Sequence, residues 1–500
     1  MGSHTEVYFE DAIERSLLEQ GGYIKGEAAE YDKASALFPK DVISFIKDSQ
    51  LALYQRVENG QKGNTDSYIL TMLQNALDIN GSLNVLRHGF NCYGKIIKMA
   101  YFAPNTSINA ITEQRYQANI LKVTRQVHTE HHEILDLVLS LNGIPVITIE
   151  LKNKLSSTGW NVDDGINQYK LERNPHGKLF AFKTRTLVHF AVDTDLVYMT
   201  TRLNGEDTRF LPFNRGHNGS AGNPPVTGKV RTSYLWEDIL AKDSLMDIIG
   251  RFIHLEIGER KIKTDSGYRY QTTETMIFPR FHQLDCVRKL TQHSREHGAG
   301  HNYLIQHSAG SGKSNSIAWL AHHLSSMHND NDKKVFNSII VITDRVVLDK
   351  QLQDTITQFE HKDGVVKKID EDSHQLAKAI ASDTQVIITT IQKFPHVMKS
   401  IQKQREEGSH LDLSTKDKHF AVIVDEAHSS QTGETDSDLR KVLNQDGIES
   451  AIAAEFLLDE EQGDQADDLS PQVRAALYRE THKRQRQPNL SYFAFTATPK

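Results

Sequence analysis

The 500-residue chain has no stretch approaching the roughly 18 consecutive apolar residues of a membrane-spanning helix. Its start, MGSHTEVYFEDAIER, lacks both a basic n-region and an apolar core. Membrane insertion and export by a signal peptide are therefore not expected. Cysteine is scarce: Cys92 and Cys286 are too few for a disulfide framework or a zinc cluster, which fits a reducing, cytoplasmic setting. Positive charge is not in excess. With 58 Lys and Arg against 65 Asp and Glu the net charge is −7, which argues against holding nucleic acid through a diffuse basic surface but leaves room for local basic grooves. No repeat of 20–50 residues is sustained, so a solenoid is not supported. HTEHH (128–132) has no fourth ligand at a familiar spacing; it reads as a surface turn rather than a zinc site. The three tryptophans, Trp160, Trp236 and Trp319, are expected in cores rather than as base-stacking platforms.

What is present suffices for more than one domain. Hydrophobic residues make up 38% and charged residues 25%, a globular balance, and the length corresponds to two to four domains at roughly 150 residues each. Gly, Asn and Pro crowd into 203–229, which reads as a long surface loop. A helix-like stretch spans about Tyr234 to Phe252, and the charged EIGERKIKTDSGYRY (256–270) has little to bury and reads as a linker. The expected organisation is a first domain over 1–235, a helix and linker over 236–270, and a second domain over 271–500. Within the second, NYLIQ (302–306), NSIIVIT (337–343), QVIITTI (385–391), FAVIVD (420–425) and SYFAFTA (491–497) alternate with helical patterns, as in a parallel sheet covered on both faces. The acidic EFLLDEEQGDQADD (455–468) reads as a solvated insertion.

HSAGSGKS (307–314) follows the strand NYLIQ and precedes a helical stretch, the order of a phosphate-binding loop. Gly310, Ser311 and Gly312 would turn backbone N–H groups toward a phosphate, aided by the following helix N-terminus. Lys313 would reach the β/γ-phosphates of ATP and Ser314 would give a hydroxyl to Mg²⁺. Alone, the loop could equally be a Gly/Ser turn before an amphipathic helix. FAVIVDEAH adds Asp425 and Glu426 at the end of a buried strand, where ligands bind in open α/β sheets; Asp425 suits Mg²⁺ and Glu426 suits the attacking water.

A second constellation lies in EILDLVLSLNGIPVITIELKNK (133–154), two β-rich runs joined through Asn142–Gly143. A three-residue connection, 142–144, would set Asp136 opposite Glu150; a two-residue loop would put them on opposite faces. Pro145 cannot donate to the ladder, which favours the longer loop. Glu150 and Lys152 share a face either way. Two carboxylates and a lysine suit phosphodiester cleavage, with Asp136 and Glu150 holding Mg²⁺ and Lys152 acting on the attacking water. The alternative is a salt-bridge cluster on a solvated sheet face.

Beyond these residues, Asp425–Glu426–Ala427–His428 resembles the DEAH box of superfamily-two helicases and translocases, and Thr496–Ala497–Thr498 resembles their motif III. The resemblance implies coupling roles for His428, Thr496 and Thr498, and an adenine contact for Gln283 in FPRFHQ (278–283). It also implies that ITDRVVLDKQL (342–352) and TTIQKF (389–394) line a nucleic-acid track. Asp136, Glu150 and Lys152 resemble the PD-(D/E)xK nuclease pattern, with Leu135–Asp136 in place of Pro-Asp. GINQYKLERNP (165–175), LVHFAVDTDLVYMTTRL (187–203) and FLPFNRG (210–216) are similar to the nuclease domain of the restriction (R) subunits of type I restriction enzymes. That pattern carries over Gln168 as a supporting residue. It leaves the role of the adjacent Tyr169 open, and offers Glu10 or Glu14 as a further acid.

The fold expected is α/β, a PD-(D/E)xK nuclease domain followed by one RecA-like parallel-sheet ATPase lobe of superfamily-two helicase type. A second lobe is not expected, as if the chain were a truncated form of a longer subunit. The family implies ATP and Mg²⁺ as cofactors. It implies double-stranded DNA and the methylase (M) and specificity (S) subunits as partners, and cleavage of unmodified DNA away from the recognition site. A self-contained repair helicase–nuclease would need its own DNA-loading domain, and a non-catalytic binding protein would not need the acids and lysines.

Overall fold

In the computed structural model, the chain folds as two units, 1–282 and 283–500. The residues described are 6–61, 63–106, 109–153, 159–264, 267–308, 310–343, 346–358, 365–369, 373–390, 393–394, 418–425, 439, 442–443 and 487–497. Among them, no helix is long and apolar enough to cross a membrane.

The first unit is built on a mixed seven-stranded sheet. Its strands are β1 (Ile24–Lys25), β2 (Leu121–His128), β3 (Ile134–Leu141), β4 (Ile144–Leu151), β5 (Val188–Val192), β6 (Val197–Thr200) and β7 (Leu211–Pro212), hydrogen-bonded in that order. The β1–β2 and β4–β5 pairs are parallel and the rest antiparallel. IPVITIEL is apolar at nearly every position, and all eight residues of β4 are buried as the central strand of the sheet. Helix α1 (Glu6–Glu19) and helix α2 (Val162–Leu171) pack against this sheet. Helix α2 starts where its sequence says it should: Asn161 and Asp164 form a capping box, and buried Asp193 accepts the Val162 N–H.

The β3–β4 connection differs from the three-residue loop expected. It is a two-residue turn in which Asn142 (φ 51°) and Gly143 (φ 83°) both lie in the left-handed region, as a type I′ turn requires. The turn is buried. The Asn142 amide donates to Met99 O and Asn119 Oδ1 and accepts from Ile120 N, while a Cβ on Gly143 would come 2.6 Å from Phe38 O. The register then shifts, from Ser140 opposite Pro145 to Leu139 opposite Ile147, so Val146 is the extra residue of a bulge. From there Leu137 faces Ile149, and one further step faces Asp136 with Glu150. The predicted juxtaposition is right; a bulge supplies the residue that the loop does not.

The segment expected as a linker is also different. It forms two antiparallel strands, β8 (His254–Thr264) and β9 (Gly267–Ile277), a hairpin that belongs to the first unit. Little in it is buried, as its charge implies, but Thr, Tyr and Ile at alternate positions carry a backbone ladder that hydrogen-bonds itself. Trp236 and Trp319 are buried, as expected. Trp160 is not: it is 48% exposed, with Lys152 Nζ 5.4 Å from its ring centroid. It stands just ahead of the Asn161 cap, outside any hydrophobic period.

The second unit holds a six-stranded sheet in which every pairing is parallel: β10 (Asn302–Gln306), β11 (Ser338–Thr343), β12 (Val366–Lys368), β13 (Val386–Thr390), β14 (Phe420–Val424) and β15 (Leu490–Thr496). Their order is β10-β15-β14-β11-β13-β12. The five strands read from sequence are there; the short edge strand β12 carries too weak a pattern to be read. β11 and β14 are buried at every position, and helix α4 (Lys313–Ser325) places Trp319 in the core. Helix α3 (Phe281–His297) leads into this unit. The acidic segment 455–468 lies outside the described residues.

Candidate functional site

In the first unit, the ends of β3 and β4 bring Asp136, Glu150 and Lys152 together. Glu150 is fully buried and Lys152 is 5% exposed, so this is not a solvated sheet face. Asp136 Oδ2 accepts the Leu151 N–H at 2.7 Å, which ties it to the end of β4. The Glu150 carboxyl is pushed well above the usual range by burial, with Asp136 adding to the effect and Arg173 opposing it. Arg173 donates from Nε (2.9 Å) and Nη2 (2.6 Å) to one oxygen of Glu150, Oε1, while Oε2 is buried with no hydrogen-bond partner. A buried carboxylate oxygen left unsatisfied beside a second carboxylate is costly unless a cation meets it. The residues thus fit a divalent metal. Among the described residues no three His, Cys, Asp or Glu converge as a closed metal site would need. Two acids suit an ion that keeps water and substrate oxygens as its other ligands.

Helix α2 lies over the lysine: a Cβ at Gly165 would be 3.5 Å from Lys152 Cγ and 3.4 Å from Ala191 Cβ. Gln168, one turn beyond Gly165, is half-buried on the same side of α2. Tyr169, whose role the sequence left open, is wholly buried. Its hydroxyl lies 2.8 Å from Thr148 Oγ1, which is 2.7 Å from His189 Nδ1. Thr148 shares its face of β4 with Glu150, so this chain of groups supports the strand from behind the acids. Burial lowers His189 to about 3 and keeps it neutral.

Glu10 and Glu14, one turn apart on α1, are both buried and differ in their surroundings. Glu10 is buried and its pKa is raised, first by burial and also by Asp136, while hydrogen bonds from Arg125 and Gln126 oppose the rise. Glu14 Oε2 lies 3.5 Å from Arg125 and 3.7 Å from Lys25. Gln126 holds Glu10 from a left-handed backbone (φ 51°) inside β2. Its neighbours Arg125 and Val127 pair with Leu137 and Leu135, so the strained residue stands across from Asp136. Arg173, Arg125 and Gln126 are the residues missed from sequence. Arg173 sits five residues past Gln168, at a helix end where an arginine usually faces solvent, and nothing in the spacing names Glu150 as its partner.

In the second unit, the loop from β10 to α4 has Gly310 at φ 75° and Gly312 at φ 83°, and α4 begins at Lys313. Ser314 follows in the first helical turn, half-buried. Gln283, expected at the adenine edge, braces this loop: its Nε2 donates to Gly312 O (2.9 Å) and Ser311 O (3.3 Å), and a Cβ on Gly312 would meet that nitrogen at 2.5 Å. Lys313 Nζ lies 3.1 Å from Asp425 Oδ1, and Asp425 is held at the end of β14 by its N–H to Ile342 O. Thr496, at the end of β15, accepts the His307 N–H at the root of the loop. Glu426, His428 and Thr498 lie outside the described residues, as do parts of 342–352 and 389–394.

Residues 63–208 match the family of type I restriction enzyme R protein N termini, and residues 282–448 match the SWI2/SNF2 ATPase family. Among curated proteins, the chain is 24% identical over 331 residues to the type I restriction enzyme SauMSSORF170P endonuclease subunit of Staphylococcus aureus, covering 65% of this chain and 30% of that one. It is 25% identical over 316 residues to the HindI endonuclease subunit of Haemophilus influenzae, covering 60% of this chain and 26% of that one. A solved fragment assigned as an HsdR subunit from Vibrio vulnificus aligns with 74% of this chain and 46% of its own at 12% identity, with a TM-score of 0.25, too low to bear on the fold. The chain spans about 30% of the length of the first of these curated relatives. Residues 63–208 are thus similar to the N-terminal region of type I restriction enzyme R proteins and residues 282–448 to SWI2/SNF2 ATPases, and curated relatives of the chain are endonuclease subunits of type I restriction enzymes.

Proposed function

We propose that the first unit hydrolyses phosphodiester bonds of double-stranded DNA and that the second hydrolyses ATP to move DNA. Both would act within a type I restriction enzyme completed by methylase and specificity subunits. The observation that carries the nuclease reading is the buried, unsatisfied Oε2 of Glu150 beside Asp136 and Lys152, inside a region of the restriction R protein family. Asp136 and Glu150 would hold Mg²⁺, with Glu10 adding negative charge behind them. Bound Mg²⁺ would lower the pKa of the attacking water and share the charge that develops on the phosphate. Arg173 fixes the Glu150 carboxylate in one orientation and keeps it ionised when the site is loaded. Lys152, its stem held under α2, presents an ammonium to the attacking water and the phosphate oxygens, and Gln168 supports it.

In the second unit, backbone N–H groups of Gly310, Ser311 and Gly312 would receive the phosphates, with Lys313 at the β/γ position. Ser314 and Asp425 would hold the accompanying Mg²⁺, and Glu426 would orient the attacking water. Gln283 would keep the loop in shape, and His428, Thr496 and Thr498 would couple hydrolysis to movement. The test is the enzyme reconstituted with its methylase and specificity subunits. Cutting of unmodified duplex should require ATP and Mg²⁺, and Asp136→Asn should abolish it while ATP hydrolysis continues. A folded Asp136→Asn enzyme that still cuts at the parent rate would refute the nuclease assignment.

A further inference from the structure

Gln126 lies within strand β2, is exposed, and has a left-handed backbone (φ 51°). A residue other than glycine is uncommon in that region, and holding it there costs about 1–3 kcal/mol. Burial does not offset this cost, because the side chain stays exposed. One hydrogen bond offsets part of it: Gln126 Nε2 donates to Glu10 Oε1 at 3.0 Å, and such a bond contributes about 0.5–1.5 kcal/mol net. Stability alone does not account for the conformation.

Its geometric effect is specific. In a regular strand successive side chains point to opposite faces, so Arg125 and Gln126 could not reach the same group. Here they do. Arg125 donates from Nε (3.0 Å) and Nη2 (2.8 Å) to Glu10 Oε2, while Gln126 donates to Oε1, so sequence neighbours hold both oxygens of one buried carboxylate. The ladder is interrupted at the same point. Arg125 pairs with Leu137 and Val127 with Leu135, and no ladder pair joins Gln126 to Asp136. Asp136 is close enough to Glu10 to add to the upward push that burial gives its carboxyl.

The two clamps differ in charge. Arg125 is shared among Glu10, Asp11 and Glu14, so its single charge cannot cancel theirs. The neutral amide of Gln126 orients Glu10 and cancels no charge at all.

We propose that Gln126 is a positioning residue of the nuclease site: from its left-handed backbone it fixes the Glu10 carboxylate beside Asp136, preorganising the acids that attract a divalent ion. It acts through Glu10. The proposal rests on the reading above that Asp136 and Glu150 hold Mg²⁺, and it adds to that site a residue whose conformation costs stability and raises metal affinity.

The test uses the full chain without nucleotide and follows Tm across a Ca²⁺ series. Gln126→Gly adopts the left-handed backbone without strain and removes the amide. It should melt at or above the parent temperature in EDTA. It should also need about 10–100-fold more Ca²⁺ for the same rise in Tm, the usual cost of losing a group that orients a metal site. Gln126→Asn tolerates the same backbone with an amide one methylene shorter, and should show the same loss of Ca²⁺ response. In a Glu10→Gln background, Gln126→Gly should cost nothing further, since it acts through that carboxylate. The proposal is overturned if both Gln126 variants respond to Ca²⁺ as the parent does, or if the effect of Gln126→Gly adds in full to that of Glu10→Gln. It is also overturned if the weaker response comes with a Tm in EDTA well below the parent's, as a merely structural role would give. Asp136→Asn should abolish the Ca²⁺-dependent rise. A rise that survives Asp136→Asn refutes the metal reading itself; a rise lost there but kept by the Gln126 variants refutes this proposal alone.

Discussion

The Arg173 guanidinium sets two hydrogen bonds on Glu150 Oε1 and none on Oε2, so one side of a fully buried carboxylate is saturated and the other is bare. Arg173 is itself 96% covered at its side chain and also donates to Ile134 O, so it cannot swing away to solvent without breaking the end of β3. The carboxylate is oriented before any ligand arrives.

Removing one partner of that pair strands the other. Arg173→Ala is expected to destabilise the first unit by about 3–5 kcal/mol, the usual cost of breaking a buried ion pair from one side. Replacing both by apolar residues, Arg173→Met with Glu150→Leu, is expected to cost clearly less. Urea unfolding of the single and double variants measures this, and a single-variant loss below about 0.5 kcal/mol would contradict the pairing.

Metal loading is expected to strengthen as pH rises. Burial and Asp136 raise the Glu150 pKa, so the folded protein keeps a proton there at pH values where the unfolded chain has lost it. That proton favours the metal-free fold below the ordinary carboxylate range, near 4.3, and the benefit is lost as pH climbs through the raised value. A divalent ion competes with the proton, so the rise in Tm on adding Ca²⁺ should grow as pH climbs above the ordinary carboxylate range. A larger rise at the lower pH would count against Glu150 as a ligand.

Lys152→Ala is expected to lower DNA cleavage by at least ~10²-fold, the scale of losing one group that stabilises transition-state charge, and to leave ATP hydrolysis at its parent rate. The lysine and the phosphate loop belong to different units, so their losses should separate. Parallel cleavage and phosphate-release assays on the same folded enzyme decide it. Joint loss would tie the hairpin at 133–154 to the motor.

In the second unit, Lys313→Ala is expected to abolish ATP hydrolysis with the fold unchanged, and Glu426→Gln to bind nucleotide without hydrolysing it. Fluorescent-nucleotide binding and phosphate release would separate the two. Parent-rate hydrolysis by Lys313→Ala would rule out the loop at 307–314 as the phosphate site.

Gly143→Ala is expected to destabilise by roughly 1–3 kcal/mol, since its Cβ would press on Phe38 O at a left-handed backbone position. Thermal or urea unfolding measures it, and an unchanged Tm would mean that the turn opens readily.

Features held by periodicity or by a motif with a mechanism are legible in the sequence. The inner parallel strands β11 and β14 of the second unit are buried on both faces, and Gly310, Gly312 and Lys313 occur at a strand-to-helix junction. Asp136 is matched with Glu150 from sequence through a wrong intermediate. Pro145 suggests a longer loop because it cannot join the ladder, whereas the extra residue is Val146 inside the strand, where side-chain patterning marks nothing. Arg173 and Gln126 are invisible for another reason. An arginine names no partner in sequence, and no residue pattern marks a left-handed glutamine within a strand. The hairpin at 254–277 reads as a linker only when its charge is weighed above the strand-forming Thr and Tyr that alternate beneath it.

The 3.1 Å pair of Lys313 and Asp425 bears on what the second unit can accept. Each group neutralises the other in a partly enclosed place. An anion arriving alone would compete with the aspartate for the lysine, and a cation arriving alone would compete with the lysine for the aspartate. A phosphate chain that brings its own divalent ion trades one internal bridge for two external ones. On the proposed reading, nucleotide and metal are therefore bound synergistically, each raising the affinity for the other by the same factor. On that same reading, the site would favour the neutralised complex over either half.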